Sequence, residues 1–481
     1  MFIGRERELE ALDKLYTSDR FEFVVIYGRR RVGKTALISQ FIRDKKAVYF
    51  MGVESNAKQN LENLSRSILE YGAGIQTETA FLSFQAALQY VFELSEKERL
   101  ILVIDEYPYV ARSSKSFAST LQLLIDSHKE NSKLMLILCG SSMSYMEDHV
   151  LAYKAPLYGR RTAQIKVFPF DFADTCHYFR NFSDEDKALI YGIAGGTPQY
   201  LLQMDDRLSI EDNIKKTFLN PVSFLFEEPE NLLKQEVREP ALYNAIITAI
   251  ANGASRMSEI STRVGEDTNV CATYLKNLLE LGLVYKETPY GEKVSRKSIY
   301  AIADNMFRFW YRFVPANQSI ISRGAVEFAY ERIAPFLSDY MGKVFEEICR
   351  QYLWKRLLIG ESPVKFVELG RWWGTDPAEK KQVEIDIMGE QDKNTVLFGE
   401  CKWTNEKVDL NVLETLIERS QLFHYSEVYL YLFAKSGFTK GCIDKAGTMK
   451  NVALVTYAEI LDLMVGKKHP DGKREESYAY I

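Results

Sequence analysis

The chain has 481 residues, which at about 150 residues per domain indicates roughly three domains and excludes a single small module. Hydrophobic residues make up 46% and charged residues 26%, as in folded globular proteins, and no apolar run reaches the ~20 residues that a membrane span needs. Because 61 Lys and Arg stand against 66 Asp and Glu, the net charge of -5 excludes an obligate, non-specific binder of nucleic acid, while a local basic surface stays open.

The N-terminal segment and the cysteines indicate a cytoplasmic protein. Residues 1–13 are charged from position 5 onward and contain no apolar core, so neither a secretion signal nor a membrane anchor is expected. The six cysteines form no C-x-x-C pair and lie mostly in apolar runs, a pattern typical of reduced, buried thiols.

Short apolar runs alternate with helix-like stretches in the first third of the chain. These runs lie at 21–27, 47–53, 100–104 and 134–139. They resemble buried parallel strands joined by crossover helices, which predicts an α/β domain with a parallel sheet. The pattern then turns helical, with Gly195-Gly196 and Pro198 as breakers. The first domain is therefore expected to span 1–235, with a core at 1–165 and a helical lid at 166–235.

A glycine-rich motif follows the first of these strands. Residues 28–35 read Gly-Arg-Arg-Arg-Val-Gly-Lys-Thr and fit G-x-x-x-x-G-K-[ST], between a strand and a helix as this phosphate-binding P-loop requires. Backbone N–H groups would cradle the phosphates, Lys34 would reach the β- and γ-phosphates, and the Thr35 hydroxyl would ligate Mg²⁺. The predicted nucleotide-binding residues here are Gly28, Arg31, Val32, Gly33, Lys34 and Thr35. We therefore expect ATP and Mg²⁺ as cofactors.

Two acidic residues end the strand predicted at 100–104. Asp105 would hold Mg²⁺, and Glu106 would polarise an attacking water as the catalytic residue of this site. The second acid favours ATP hydrolysis over binding alone.

Polar residues after the next strand add further candidates. Ser141-Ser142 would place a hydroxyl beside the γ-phosphate as a nucleotide sensor, or would form a simple turn at the strand end. Arg160-Arg161 would supply charge to the γ-phosphate, within the subunit or across an interface, or would be a solvated pair. The sequence leaves both pairs of alternatives open.

These residues resemble the archaeal-type ATPases of the STAND group, relatives of the AAA+ proteins. The resemblance covers about residues 1–235. It is carried by Phe2-Ile3-Gly4-Arg5 with Glu8, the loop at 28–35, Ile104-Asp105-Glu106, Gly159-Arg160-Arg161 and Gly195-Gly196-Thr197-Pro198. It implies that the N-terminal segment packs along the adenine, that Pro198 approaches the nucleotide from the lid, and that ATP acts as a slow conformational switch.

Residues 238–303 read as three helices followed by a turn-bearing hairpin, the order of a winged helix-turn-helix. The recognition helix is predicted at 268–281. Its residues that would face a groove are Asn269, Thr273, Lys276 and Asn277. With eight Lys and Arg against seven Asp and Glu in the segment, phosphate contact would depend on the hairpin residues Lys293, Arg296 and Lys297. DNA binding and an intramolecular role beside the nucleotide domain both stay open.

Residues 304–340 form a connector rich in aromatic side chains. The cluster consists of Phe307, Phe309, Trp310, Tyr311 and Phe313. We predict a helix whose rings pack as a core between domains, in preference to a platform that stacks bases.

Carboxylates and a lysine alternate with apolar residues in the last domain, predicted as an α/β unit at 341–481. In Gln-Val-Glu-Ile-Asp-Ile-Met, Asp386 shares one face of a strand with Glu384. On the next strand, Glu400 and Lys402 share a face, and a hairpin would bring them to Asp386. The two carboxylates would bind Mg²⁺ or Mn²⁺, which polarises a scissile phosphate, and Lys402 would orient the attacking water.

The preceding helix carries Glu346 and Glu347, and one of them, Glu346 by preference, would complete the metal's ligand set. With this glutamate, the pattern resembles the PD-(D/E)xK nuclease superfamily over about 341–465. The resemblance implies that Asp386 and Glu400 are metal ligands and that Lys402 is the catalytic lysine. The pattern's literal Pro-Asp pair is missing at Asp386, which follows Ile385, and a degenerate, inactive nuclease fold is the alternative.

Two functions are consistent with these sites. The first is an ATP-binding and ATP-hydrolysing regulatory protein that couples nucleotide state to DNA binding, or to Mg²⁺-dependent DNA cleavage by its C-terminal domain. The second is a non-nucleolytic, ATP-dependent switch or scaffold whose winged helix binds DNA or protein. A metabolic kinase is disfavoured because no acceptor-binding motif follows the P-loop. The expected partners are ATP and DNA but no membrane, with homo-oligomerisation or intramolecular domain switching.

Overall fold

The structure, a computed structural model, describes residues 2–73, 80–293 and 297–466. Arg296, predicted to contact phosphates, lies outside the described residues. The chain divides into two units, Met1–Pro169 with Thr197–Gln199 and Phe170–Gly196 with Tyr200–Ile481. In the described part of the chain, no helix combines the length and the apolar character needed to cross a membrane.

The first unit is an α/β structure with a parallel sheet. Its strands are β1 (Glu22–Tyr27), β2 (Ala47–Met51), β3 (Leu100–Asp105), β4 (Leu134–Gly140) and β5 (Ala163–Lys166). Its helices are α1 (Glu6–Tyr16), α2 (Lys34–Ile42), α3 (Ala57–Ala73), α4 (Phe84–Lys97), α5 (Tyr107–Ser113), α6 (Phe117–His128) and α7 (Met143–Met146). The strand order is β2-β3-β4-β1-β5, with all pairs parallel. The predicted parallel sheet is confirmed, and β5 is a strand that the sequence did not predict.

Helices cover both faces of this sheet, which explains why its central strands are apolar on both sides. On one face, Val24 and Val103 pack with Leu37 of α2. On the other face, Val25 packs in one cluster with Leu121 of α6. The carboxyl ends of β1 and β3 lead into the loop at 28–35 and into Glu106.

The second unit begins with helices and ends with a mixed sheet. Its helices up to the hairpin are α8 (Phe172–Tyr178), α9 (Asp184–Ala194), α11 (Ile210–Thr217), α12 (Phe224–Glu236), α13 (Pro240–Ala251), α14 (Met257–Val264) and α15 (Thr268–Glu280). The short helix α10 (Pro198–Leu201) begins with two residues of the first unit and ends in the second. The hairpin consists of the antiparallel strands β6 (Val284–Glu287) and β7 (Ile299–Ile302). The following helices are α16 (Asn305–Ile321), α17 (Val326–Glu331) and α18 (Leu337–Leu358).

The helices α8–α12 share a core with helices further along the chain. Ile193 and Leu233 belong to the same buried cluster as Ile246 and Phe307. This shared core explains why residues 170–235, apart from Thr197–Gln199, belong to the second unit, whereas the sequence predicts that they complete the first domain.

Helix α16 carries the aromatic cluster of the connector, and its rings are buried. The Trp310 indole N–H donates to the Phe226 carbonyl oxygen at 2.7 Å. Phe309 packs edge-on against Phe218. The prediction of a packed core in place of a base-stacking platform is confirmed for these rings.

The C-terminal sheet follows α18. Its elements are β8 (Gly370–Thr375), β9 (Gln382–Glu390), β10 (Thr395–Lys402), α19 (Leu410–Ser420), β11 (Glu427–Ala434), α20 (Lys440–Gly447), β12 (Val452–Thr456) and α21 (Tyr457–Val465). The strand order is β12-β11-β10-β9-β8, antiparallel from β8 to β10 and parallel from β10 to β12. Val344 of α18 packs in one cluster with Leu397, and Leu416 of α19 packs in another with Phe398. The separate C-terminal α/β sheet is thus confirmed.

Candidate functional site

The P-loop joins β1 to α2 and depends on two glycines. A Cβ atom on Gly28 would stand 2.3 Å from the Val167 carbonyl oxygen, so a larger residue would collide with backbone. Gly33 has a φ of 92°, a left-handed conformation that favours glycine, and directly precedes α2. The Cγ atom of Pro198 lies 3.6 Å from the Cβ position built on Gly33. The structure therefore places the predicted residue Pro198 against the loop.

Lys34 is buried at the start of α2. Its ammonium group donates to the carbonyl oxygens of Gly28 at 3.0 Å and Arg29 at 2.8 Å. Burial lowers the pKa of Lys34, and the negative charges of Asp105 and Glu106 oppose this effect. The ammonium group thus lies beside the loop backbone, where phosphates are expected.

Hydrogen bonds fix the buried carboxylate of Asp105 at the end of β3. Its Oδ2 accepts from the hydroxyls of Thr35 at 2.9 Å and Tyr49 at 2.7 Å. Its Oδ1 accepts from the backbone N–H of Glu106 at 2.9 Å. Thr35 and Asp105 therefore offer adjacent oxygen ligands, the donor chemistry that fits Mg²⁺. The contact with Tyr49 was not predicted, because a tyrosine in an apolar run is usually a core residue.

Glu106 follows with a φ of 49°, a left-handed conformation that is unusual for a residue with a side chain. Its Oε2 accepts a hydrogen bond from the Ser141 hydroxyl at 2.9 Å. The structure thus joins the predicted catalytic acid to one of the two serines that follow β4.

Arg5 connects the N-terminal segment to the P-loop. Its Nη2 donates to the carbonyl oxygens of Val32, at 3.0 Å, and Phe168. Its Nη1 pairs with Glu8 at 3.3 Å. Val32 is buried, and Arg31 before it has a φ of 73°. Sequence reasoning noted Arg5 only as part of a motif, and the structure shows that it holds the loop backbone.

Arg160 and Arg161 make other contacts. Arg160 forms a bidentate ion pair with Asp126 of α6, from Nε to Oδ1 at 2.8 Å and from Nη2 to Oδ2 at 2.6 Å. The hydrogen bonds that Arg160 donates to Asp126 raise the pKa of Arg160. Arg161 Nη1 donates to the Leu151 carbonyl oxygen at 3.5 Å. A role for either arginine at the γ-phosphate stays a prediction.

Comparisons with known proteins agree with this geometry. Residues 2–204 match an ATPase domain predominantly from Archaea, and residues 310–413 match a family described as Archaea bacterial proteins of unknown function. An uncharacterized protein of Methanocaldococcus jannaschii is 35% identical over 408 residues, which cover 85% of this chain and 88% of that protein. The chain belongs to the same family as this protein, and its residues 2–204 form an archaeal-type ATPase domain. An uncharacterized ATP-binding protein of Pyrococcus abyssi is 24% identical over 272 residues, 50% of this ATPase and 81% of the relative.

Solved structures of two archaeal proteins match the chain at low sequence identity. The Walker-type ATPase of Pyrococcus abyssi aligns with a TM-score of 0.49 and 20% identity, covering 65% of this ATPase and 96% of that chain. The Aeropyrum pernix ORC2 protein, in complexes with ADPNP and ADP, aligns with a TM-score of 0.41 and 16% identity. The alignment covers 67% of this ATPase and 94% of that chain. The family assignment rests on the sequence relatives.

In the second unit of the ATPase, the predicted C-terminal residues lie on the neighbouring antiparallel strands β9 and β10. Asp386 Oδ2 accepts from the backbone N–H of Cys401 at 2.9 Å. The Lys402 ammonium donates to Glu400 at 2.7 Å. Burial, followed by repulsion from Asp386, raises the pKa of Glu400. The structure thus brings Asp386, Glu400 and Lys402 together.

Glu346 approaches the same carboxylates from α18. Burial, followed by repulsion from Asp386, raises the pKa of Glu346 to about 7, although Lys343 and Arg371 oppose the shift. Glu347 instead accepts a hydrogen bond from the Tyr191 hydroxyl at 2.7 Å. Of the two glutamates, Glu346 is therefore the one whose charge interacts with that of Asp386.

Basic side chains surround these carboxylates, and sequence reasoning missed them. Lys343 pairs with Glu346 at 3.0 Å and with Glu384 at 3.4 Å. Arg371 pairs with Glu384 and lies 3.9 Å from Glu346. Arg419 pairs with Glu400 at 3.3 Å. These contacts offset the negative charge of the cluster.

The donor chemistry of this cluster fits a hard cation such as Mg²⁺ or Mn²⁺. Within residues 2–73, 80–293 and 297–466, however, no group of three or more His, Cys, Asp or Glu side chains is arranged so that it could hold a metal ion. A metal site at Asp386, Glu400 and Glu346 stays a prediction.

The hairpin at 284–302 is bound to the C-terminal sheet. The Tyr290 backbone N–H donates to the Arg371 carbonyl oxygen at 2.8 Å, and the Trp373 indole N–H donates to the Lys297 carbonyl oxygen at 3.1 Å. The Tyr290 hydroxyl accepts from the Glu390 backbone N–H at 3.0 Å. The edge strand β8 thus contacts the hairpin.

Three of the four residues that were predicted to face a DNA groove are exposed on helix α15. These are Asn269, Thr273 and Lys276. Asn277 differs, because its side chain donates to the hydroxyl of Tyr243 on α13 at 2.6 Å. Asn277 is therefore corrected from a groove-facing residue to a packing residue.

Proposed function

We propose that the first unit hydrolyses ATP with Mg²⁺ and that this reaction regulates the second unit. The observation that carries the proposal is the hydrogen-bonded arrangement of Thr35, Asp105 and Glu106 beside the P-loop. A protein that only bound ATP would need the loop and the metal ligands. The additional acid, Glu106, supplies the base that hydrolysis requires.

Each residue of the site has a distinct role in this proposal. Lys34 turns from the loop carbonyls to the phosphates and offsets their charge. Thr35 and Asp105 hold Mg²⁺, which neutralises phosphate charge when it is bound. The Glu106 carboxylate exchanges its hydrogen bond with the Ser141 hydroxyl for one with the attacking water, which it orients and deprotonates. Pro198 closes on the nucleotide at the helix end of the loop.

Two variants separate binding from hydrolysis. Lys34→Ala is expected to weaken ATP binding at least about tenfold, because a charge-assisted contact to phosphate is lost. Glu106→Gln is expected to keep binding and to lower the hydrolysis rate roughly 100-fold or more. The control is Glu10→Gln, in an exposed pair with Lys14. Equal rates of phosphate release in wild type and Glu106→Gln would contradict the proposal.

A second candidate function is Mg²⁺- or Mn²⁺-dependent cleavage of DNA by the C-terminal domain. It is favoured by the contact of Lys402 with the buried Glu400, next to Asp386. Asp386 and Glu400 would hold the cation, which polarises the scissile phosphate when bound. Lys402 would orient the water and offset charge on the phosphate.

The cleavage test compares wild type with Asp386→Ala and Lys402→Ala on linear, single-stranded and branched DNA. Glu379→Ala, an exposed residue of the same domain, is the control and should cut like wild type. Equal inactivity of all proteins on every substrate would exclude cleavage. The alternative, an ATP-dependent switch or scaffold, then predicts that Lys34→Ala abolishes nucleotide-dependent association with DNA or protein.

A further inference from the structure

Tyr49 reaches the nucleotide-binding site from the edge strand β2. In the sheet order, β2 lies next to β3, and Tyr49 stands opposite Val103 in the parallel pairing. Side chains alternate along a strand, so Val103 and Asp105 point to the same face. The Tyr49 hydroxyl is therefore placed to contact Asp105 across the strand pair, and it does so at 2.7 Å.

The contact is a hydrogen bond from a neutral donor to a buried carboxylate. The acceptor, Asp105 Oδ2, also accepts the Thr35 hydroxyl at 2.9 Å. The two hydroxyls thus hold the same oxygen from different elements, β2 and the start of α2.

The shared acceptor orients both groups that are proposed to bind Mg²⁺, the Thr35 hydroxyl and the Asp105 carboxylate. A threonine hydroxyl that ligates Mg²⁺ through its oxygen must direct its proton to another acceptor. Asp105 Oδ2 is that acceptor in the structure. A second donor on the same oxygen restricts rotation of the carboxylate.

We infer that Tyr49 is a positioning residue that holds Asp105 in the orientation needed for Mg²⁺-dependent use of ATP. The inference rests on the proposed ATP-dependent function and adds a residue outside the P-loop motif and the acidic pair. A phenylalanine at 49 would fill the same space in the apolar face and would lack only the donor. The hydroxyl, not the ring, is therefore assigned this role.

The experiment compares full-length wild type with Tyr49→Phe. ATP affinity is measured without metal and across a Mg²⁺ titration, and hydrolysis is followed in the same titration. Without metal, the two proteins should bind ATP equally. The Mg²⁺ concentration for half-maximal effect should rise roughly threefold to tenfold in Tyr49→Phe, the scale of one typical intramolecular hydrogen bond. At saturating Mg²⁺, the KM for ATP should return towards that of wild type.

Tyr71→Phe is the matched control, because its hydroxyl donates to Glu98 at 3.1 Å in the same unit. It should leave the Mg²⁺ curve unchanged. Coincident curves for Tyr49→Phe and wild type, or an equal shift in Tyr71→Phe, would overturn the inference. If wild type binds ATP with Mg²⁺ but releases no phosphate, proposed hydrolysis fails, while the binding curves still decide the role of Tyr49.

Discussion

Arg371 Nη1 lies 3.4 Å from the Glu287 carboxylate, so a residue of β8 pairs with a residue of the hairpin strand β6. The same guanidinium pairs with Glu384 and lies 3.9 Å from Glu346. Arg371 is only 12% exposed, and these carboxylates raise its pKa although burial opposes them. One largely buried cation therefore connects the hairpin to the predicted nuclease-like cluster.

Arg371→Met is expected to destabilise the second unit by about 2–4 kcal/mol, because it removes the cation paired with the partly buried Glu287 and leaves Lys343 to offset both Glu346 and Glu384. The chain's five tryptophans all lie at position 310 or beyond, so tryptophan fluorescence during urea unfolding reports on this unit. Arg207→Met is the control, because Arg207 pairs with Asp205 at an exposed position. A loss no larger for Arg371→Met than for the control would contradict a central role for this cation.

Glu346 makes the stability of the second unit dependent on pH. Its pKa of about 7 exceeds the ordinary value of 4.5, so the folded chain retains a proton that the unfolded chain has lost. Stability therefore decreases as pH rises from about 4.5 to about 7 and stays lower above that range. Glu346→Gln should be more stable than wild type by about 3 kcal/mol at pH 8, with a smaller difference at pH 5. Urea unfolding at both pH values measures this, and a pH-independent difference would contradict it.

The P-loop could be predicted from the sequence because its strand, loop and helix are contiguous in the chain. The contact of Tyr49 with Asp105 could not, since 56 positions separate the two residues. It depends on β2 lying next to β3. Arg371 was missed for the same reason, because Glu287, Glu346 and Glu384 come from three separate segments.

The predicted domain boundary depended on information that local patterns lack. Strand β5 has four residues, and none of Ala163–Lys166 is fully buried, so its apolar signal is weak. The helices after it are amphipathic, but their pattern does not specify their partner. Their burial with Phe307 and Ile246 assigns them to the second unit. Along the C-terminal strands, by contrast, alternation was sufficient to group Asp386, Glu400 and Lys402.

Gly28→Ala tests the close approach of the P-loop to the end of β5. The new methyl group would stand 2.3 Å from the Val167 carbonyl oxygen, so the backbone must move. We expect a loss of about 1–3 kcal/mol in stability and at least about tenfold weaker ATP binding. Gly342→Ala is the control, because its methyl group meets no atom within 4 Å. Thermal unfolding and ATP titration of both variants check this, and wild-type affinity in Gly28→Ala would contradict it.

The bound hairpin predicts slow hydrogen exchange at two backbone amides. The Tyr290 N–H donates to Arg371, and the Glu390 N–H donates to the Tyr290 hydroxyl. Tyr290→Phe removes only the second acceptor, so exchange at Glu390 should accelerate roughly fivefold, the scale of one neutral hydrogen bond. Exchange at residue 290 should stay slow. Tyr285→Phe, a change at an exposed hairpin tyrosine, should alter neither amide.

Exchange mass spectrometry on peptides that contain these positions measures the effect, and rapid exchange at both amides in wild type would contradict a bound hairpin.

The same measurement with DNA tests whether α15 or the hairpin contacts DNA. A hairpin that enters a DNA groove must leave β8, so its amide at Tyr290 would exchange faster when DNA binds. Unchanged protection at Tyr290 in a DNA complex would mean that DNA contacts another surface, for which the exposed residues Asn269, Thr273 and Lys276 of α15 are the candidates.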